Sequence, residues 1–154
     1  MRLFLGTVLC LAALAVSDVA RASAQTRTHV LIAVGIGGTA EFRESFHAEA
    51  ARIHTALTEQ LCVSTEDVVY LGETVDVAPR MISDRSTRAN ILEVLGEMAQ
   101  RAGSGDRVLV ILIGHGTARG DEGRFNLSGP DLSAEDLSDA MEAFRTQTVA
   151  VVHT

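Results

Sequence analysis

The chain has 154 residues, 47% hydrophobic and 21% charged, which excludes a disordered polymer and suits one domain around one core. Its 13 basic residues, all arginine, face 20 acidic ones for a net charge of −7, and no basic run stands out. This balance, with 4% aromatic residues and no Trp, argues against a nucleic-acid partner, and two cysteines exclude a disulfide scaffold.

Met1-Arg2 begins the chain with positive charge, Leu3 to Val16 is almost unbroken apolar sequence, and a small polar stretch closes on Ala22-Ser23-Ala24. That order predicts a signal peptide over residues 1–24, cut after Ala24, and so a secreted or periplasmic product. The apolar run is too short for a membrane anchor, since roughly 20 residues are needed to cross the hydrocarbon. Leu9 ahead of Cys10 is not the small residue of a lipoprotein signal. Without Arg2, Asp18 and Arg21, the remaining 130 residues carry 11 bases, 19 acids and one cysteine, Cys62.

From His29 to Gly35 an apolar, branched run predicts a buried strand. Phe42, Phe46, Ala50, Ile53, Leu57 and Leu61 then recur at steps of three or four and predict an amphipathic helix over Glu41 to Leu61. A second strand follows at Asp67 to Gly72, and residues 73–86 read as a loop. Ser86 or Thr87 caps a second helix carrying Ile91, Leu92, Leu95 and Met98 and ending near Gly103. Arg107 to Ile113 is the most hydrophobic segment of residues 25–154 and predicts a central strand. Around Gly120 and Gly123 a hairpin or extended loop is expected. Ser133-x-x-Asp136 resembles a capping box ahead of Leu137, Met141 and Phe144. Val149 to His153 opens a fourth strand. Strand and helix in alternation predict an α/β domain over residues 25–154: three layers, α/β/α, on a mainly parallel sheet of at least four strands, whose order is 2-1-3-4 if the first and third strands are neighbours. A final strand with no loop or helix after it is read as the mark of an N-terminal portion of a longer domain.

Two glycine turns end the first and third strands. Gly114-His115-Gly116 holds an imidazole, the usual general base near neutral pH, beside glycine N–H groups suited to an oxyanion. Gly35-Ile36-Gly37-Gly38-Thr39-Ala40 fits a dinucleotide fingerprint, but the nearest acidic residue at a strand end, Glu73, is displaced from its required spacing, so a steric turn is the better reading. With the first and third strands adjacent, the two turns would face each other across the switch-point crevice, and Arg43 at the start of the first helix could hold a substrate carboxylate there. His47 and His54 read as boundary residues, Cys62 as buried packing, and Asp121, Glu122 and Asp131 as solvated loop charges. No metal set is completed and no cofactor is indicated.

Three stretches in this order, HVLIAVGIGG with its helix, GDRVLVILIGHGTARGDEGRFNLSGPDLSAEDL, and TVAVVHT, resemble the caspase/legumain-like cysteine peptidases. The resemblance implies a caspase-like fold, His115 as catalytic base, Gly116 as oxyanion donor, Arg43 as a loosely matched substrate-binding residue and a peptide or protein substrate. It also places the cysteine nucleophile just beyond Thr154, since neither Cys10 nor Cys62 matches its position. Two alternatives stand beside it. One is a catalytically inert relative that binds peptides or partners. The other is a small-ligand or metal-handling α/β protein, because LIGHGT is also similar to the strand-end histidine turn of tetrapyrrole metal chelatases.

Overall fold

The computed structural model describes residues 26–154, so the expected signal peptide lies outside the described residues. Four strands, β1 (Thr28–Val34), β2 (Val68–Gly72), β4 (Arg107–Ile113) and β8 (Thr148–His153), form a parallel sheet with the two-residue β3 (Asp84–Arg85) at one edge, in the order β3-β2-β1-β4-β8. The four long strands therefore follow the 2-1-3-4 order. β3 is new: it lies inside the segment expected to be loop, and two exposed residues carry no strand periodicity to read. The β1–β4 ladder is the longest, in register from Thr28↔Arg107 to Val34↔Ile113.

Both faces of this sheet are covered, which is why its central strands are continuously apolar rather than alternating. Val30, Ile32, Val34, Ile111 and Ile113 pack toward Phe46, Ala50 and Ile53 of α1 (Ala40–Thr55). Leu31, Ala33, Val108, Val110 and Leu112 pack toward Ile91, Leu95 and Met98 of α2 (Arg88–Arg101) and Leu137 of α3 (Ala134–Met141). Thr39, Thr87 and Ser133 cap the three helices by accepting hydrogen bonds from Phe42, Asn90 and Asp136 N–H groups, so each helix starts where a side-chain oxygen replaces a missing backbone acceptor. The first helix is shorter than its apolar spacing suggested: it changes to a π-helical turn over Ala56–Gln60. A second, antiparallel sheet of β5 (Gly116–Arg119), β6 (Glu122–Phe125) and β7 (Leu132–Ser133) folds over the carboxyl end of β4.

At the opposite, amino end of the sheet, His29 is buried between two acids. Its Nδ1 lies 3.2 Å from Asp67 Oδ1 and its Nε2 3.3 Å from Asp106 Oδ2. Arg27 reaches Asp67 through Nε and Nη2, and its N–H donates to Asp106 Oδ1 at 2.9 Å. This cluster locks the starts of β1, β2 and β4 together.

Candidate active site

β4 ends in a turn that only glycine can begin. Gly114 has φ +152°, and a Cβ there would lie 3.1 Å from Gly35 Cα, inside ordinary contact distance. The two glycine turns therefore touch, with Gly35 N–H donating to Ile113 O at 2.9 Å. Nor is there an open crevice between them. The Phe125 ring occupies the space beside both glycines, and Ile36 N–H donates to Asn126 O at 3.0 Å, so the β5–β6 hairpin seals the switch point.

His115 stands exposed at this rim, on the α1 side of the sheet. Its ring meets the edges of Phe42 and Phe46, one helical turn apart, with centroids 4.6 and 5.1 Å away at 81° and 73°. The aromatic pair fixes the imidazole by packing, while its exposure leaves it reachable. Asn126 N–H donates to His115 O at 3.0 Å, and Gly116 is the residue opposite Phe125. In antiparallel geometry that makes Gly116 and Phe125 a non-hydrogen-bonded pair, so the Gly116 N–H points out of the hairpin. A basic ring and a free backbone donor are thus adjacent in sequence and both at the rim.

The end of β8 closes the other side of the turn. Gly114 N–H donates to Thr154 O at 3.1 Å, Thr154 N–H donates to Leu112 O at 3.0 Å, and Thr154 Oγ1 donates to Glu49 of α1 at 3.2 Å. His153 points to the opposite face of the sheet, where its Nε2 lies 3.0 Å from Gly114 O and its ring is edge-on to Phe125. Because a carbonyl only accepts, the His153 proton in that bond is on Nε2.

Arg43 does not join this group. It follows Phe42 by one residue, about 100° around the helix, and its stem covers Gly37. There it lines a separate cleft with His47, Thr74 and Val77 beyond the end of β2. Glu73 accepts from Gly37 N–H at 3.1 Å, so a carboxylate of the chain itself occupies the glycine loop where a dinucleotide phosphate would sit. His47 Nδ1 lies 2.8 Å from the buried Tyr70 hydroxyl, whose pKa burial pushes well above its ordinary value. His54 is shifted the opposite way, downward, because partial burial disfavours its charged form.

Cys62 is exposed rather than buried, and its φ of +53° breaks the chain direction after the π-helical turn. It lies near the amino end of the sheet, in a cleft shared with Arg27 and Asp67 and far from the His115 turn. Asp131 is half-buried and accepts from Leu127 N–H at 3.0 Å, so it shapes the β6–β7 connection instead of standing free. Phe42, Phe46 and His153 went unrecognised as site residues. The two phenylalanines read as core because they sit on the apolar stripe of α1; Phe42, at 44% exposure, carries that stripe past the core to the rim.

Compared with models of known protein families and with curated proteins, the chain matches none of either.

Proposed function

We propose that this is an exported, caspase/legumain-like cysteine peptidase domain acting on peptide or protein substrates, with His115 as general base and Gly116 N–H as oxyanion donor. The supporting observation is the pairing of an exposed imidazole, held against Phe42 and Phe46, with a backbone N–H turned out of the hairpin at the next residue. The nucleophile belongs directly after Thr154, where the line of β8 passes the His115 turn. In the reaction His115 takes the thiol proton, and the thiolate sulfur bonds to the scissile carbonyl carbon. The carbonyl oxygen gains negative charge against Gly116 N–H. The His115 imidazolium then protonates the leaving amine as the C–N bond breaks. Water, deprotonated by the same imidazole, hydrolyses the thioester and restores the thiol.

The coding sequence beyond codon 154 is the first check: a cysteine within a few codons is expected. On that product a thiol-directed probe should label the cysteine, and His115→Ala should slow labelling about 100-fold or more. Labelling indifferent to His115→Ala removes the dyad.

An inert, peptide-binding domain is the second reading. It is favoured by the position of Cys62, the one cysteine among the described residues, at the wrong end of the sheet. It predicts peptide binding without turnover.

A further inference from the structure

On the opposite side of the Gly114–Gly116 rim from His115, a cavity of about 320 Å³ opens between the small antiparallel sheet, α3 and β8. Gly116 itself forms part of its wall, and Leu112, Phe125, Leu132, Leu137 and Val151 are its large apolar members. Each polar side chain in that wall has at least one partner. Thr117 Oγ1 donates to Asn126 at 3.0 Å, Ser133 Oγ accepts from Asp136 N–H at 3.0 Å, His153 Nε2 is on Gly114 O, and Arg124 Nη2 is paired with Glu122 at 2.6 Å. A charged side chain entering here would lose its water, and the arginine of this wall, Arg124, is already paired with Glu122. One donor is left over: Arg124 Nε is buried with no acceptor among the described residues.

Resting on the peptidase reading, we infer that this cavity is the specificity pocket of the site, and that it takes an uncharged apolar side chain of a peptide substrate, one of the size of Leu, Met or Phe. An extended peptide crossing the rim would put its scissile carbonyl at Gly116 N–H. The adjoining side chain then falls into the cavity on one face of the sheet, while His115 approaches from the other. Continuity through Gly116 is what commits the cavity to a substrate side chain, since the same residue borders the cavity and presents the free N–H.

Two measurements on the full chain separate the pocket from the chemistry. In the first, fluorogenic peptides differing only at the residue before the cleaved bond are compared. Leu, Met or Phe should exceed Asp, Asn and Arg by about 10- to 100-fold in kcat/KM, the range one apolar side chain supplies. Ala134→Trp, which fills the cavity from the exposed first turn of α3, should erase that preference. In the second, Ac-Ala-Ala-Leu-amide is titrated while the methyl resonances of Leu132, Leu137 and Val151 are followed, with Ac-Ala-Ala-Asp-amide as control. Shifts with the leucine peptide alone support the pocket. Cleavage that prefers a charged residue, or equal shifts from both peptides, overturns it. Leucine-specific shifts without cleavage of any peptide keep the pocket and overturn the peptidase reading. Neither shifts nor cleavage overturns both.

Discussion

At the scale of single residues, the tightest arrangement in the molecule lies away from the candidate active site. Asp106 accepts from Arg27 N–H and Gly103 N–H, and His29 adds a third contact. The Arg27 bond is the largest cause holding this carboxyl below its ordinary value of 3.8, with Gly103 and His29 adding to it against the opposing effect of burial. A carboxyl depressed in the folded state stabilises the fold above its unfolded value, and that stabilisation is lost as pH falls through the folded one. Asp106→Asn should therefore flatten the loss of stability on acidification below about pH 4, measured by urea unfolding across pH. Removing the ring is harsher, because Asp67 and Asp106 are then left buried with a void between them. His29→Ala is expected to cost about 2–3 kcal/mol, on the scale of a buried cavity with polar neighbours that lose a contact. A cost below about 1 kcal/mol would place this cluster with ordinary surface pairs instead. None of this was legible in the sequence. His29 reads as the first residue of a strand, and its partners, Asp67 and Asp106, are the residues just before β2 and β4, distant along the chain.

Among the elements, α3 shows most directly what local sequence can and cannot reveal. Its capping box was readable from Ser133-x-x-Asp136 alone: Ser133 Oγ accepts from Asp136 N–H, and Ser133 N–H donates to Asp136 Oδ2, each at 3.0 Å. The second task of Asp136 was not readable. Arg88, the first residue of α2, donates to it through both Nε and Nη2, and this contact is the largest cause of a carboxyl pKa held far below the ordinary range, followed by Ser133. One side chain thus starts α3 and fastens it to α2. Ser133→Ala should cost about 1 kcal/mol as a lost cap. Arg88→Ala should cost less than the lost cap, since the arginine side chain is partly exposed and solvent screens the pair. Both Asp136 contacts weaken only as pH falls through the folded-state value of that carboxyl, so the protection of α3 amides, exchange measured relative to the unfolded chain at the same pH, should match between pH 7 and 5. Arg88→Ala should raise exchange in α3 selectively, and an equal rise in the core strand β4 would mean that α3 is not an independently opening unit. The same boundary between local and distant explains the other elements. Gly120 and Gly123 pointed to a hairpin or an extended loop, whereas the third strand of the small sheet, β7, is set by pairing across the sheet and has only two residues. The π-helical turn follows an apolar stripe that a regular helix would fit equally well.

For the whole molecule, the strand order was readable because burial on both faces writes itself into β1 and β4 as unbroken apolar runs, and right-handed crossovers leave few ways to order them. The asymmetry of the sheet over the described residues was not. On one side β2 is followed by β3, short and ending in Asp84–Arg85. On the other side β8 pairs with β4 alone among the described strands and exposes Val151 and Val152 at 44% and 43%. Long apolar edge strands recruit further strands, because their outward N–H and C=O groups are unpaired. Residues 26–154 should therefore self-associate with rising concentration, read by sedimentation velocity between about 1 µM and 1 mM. Val152→Lys is the discriminating change. It lies on the α1 face of β8, away from the cavity that Val151 lines, and an edge lysine opposes strand addition while leaving the β4 ladder in place. The variant should remain monomeric with unchanged circular dichroism. If the unsubstituted chain is itself monomeric over that range, the β8 edge is protected in solution. If Val152→Lys associates as strongly as the unsubstituted chain, association proceeds through another surface, of which the exposed Phe42 and Ile36 rim is the nearest apolar one.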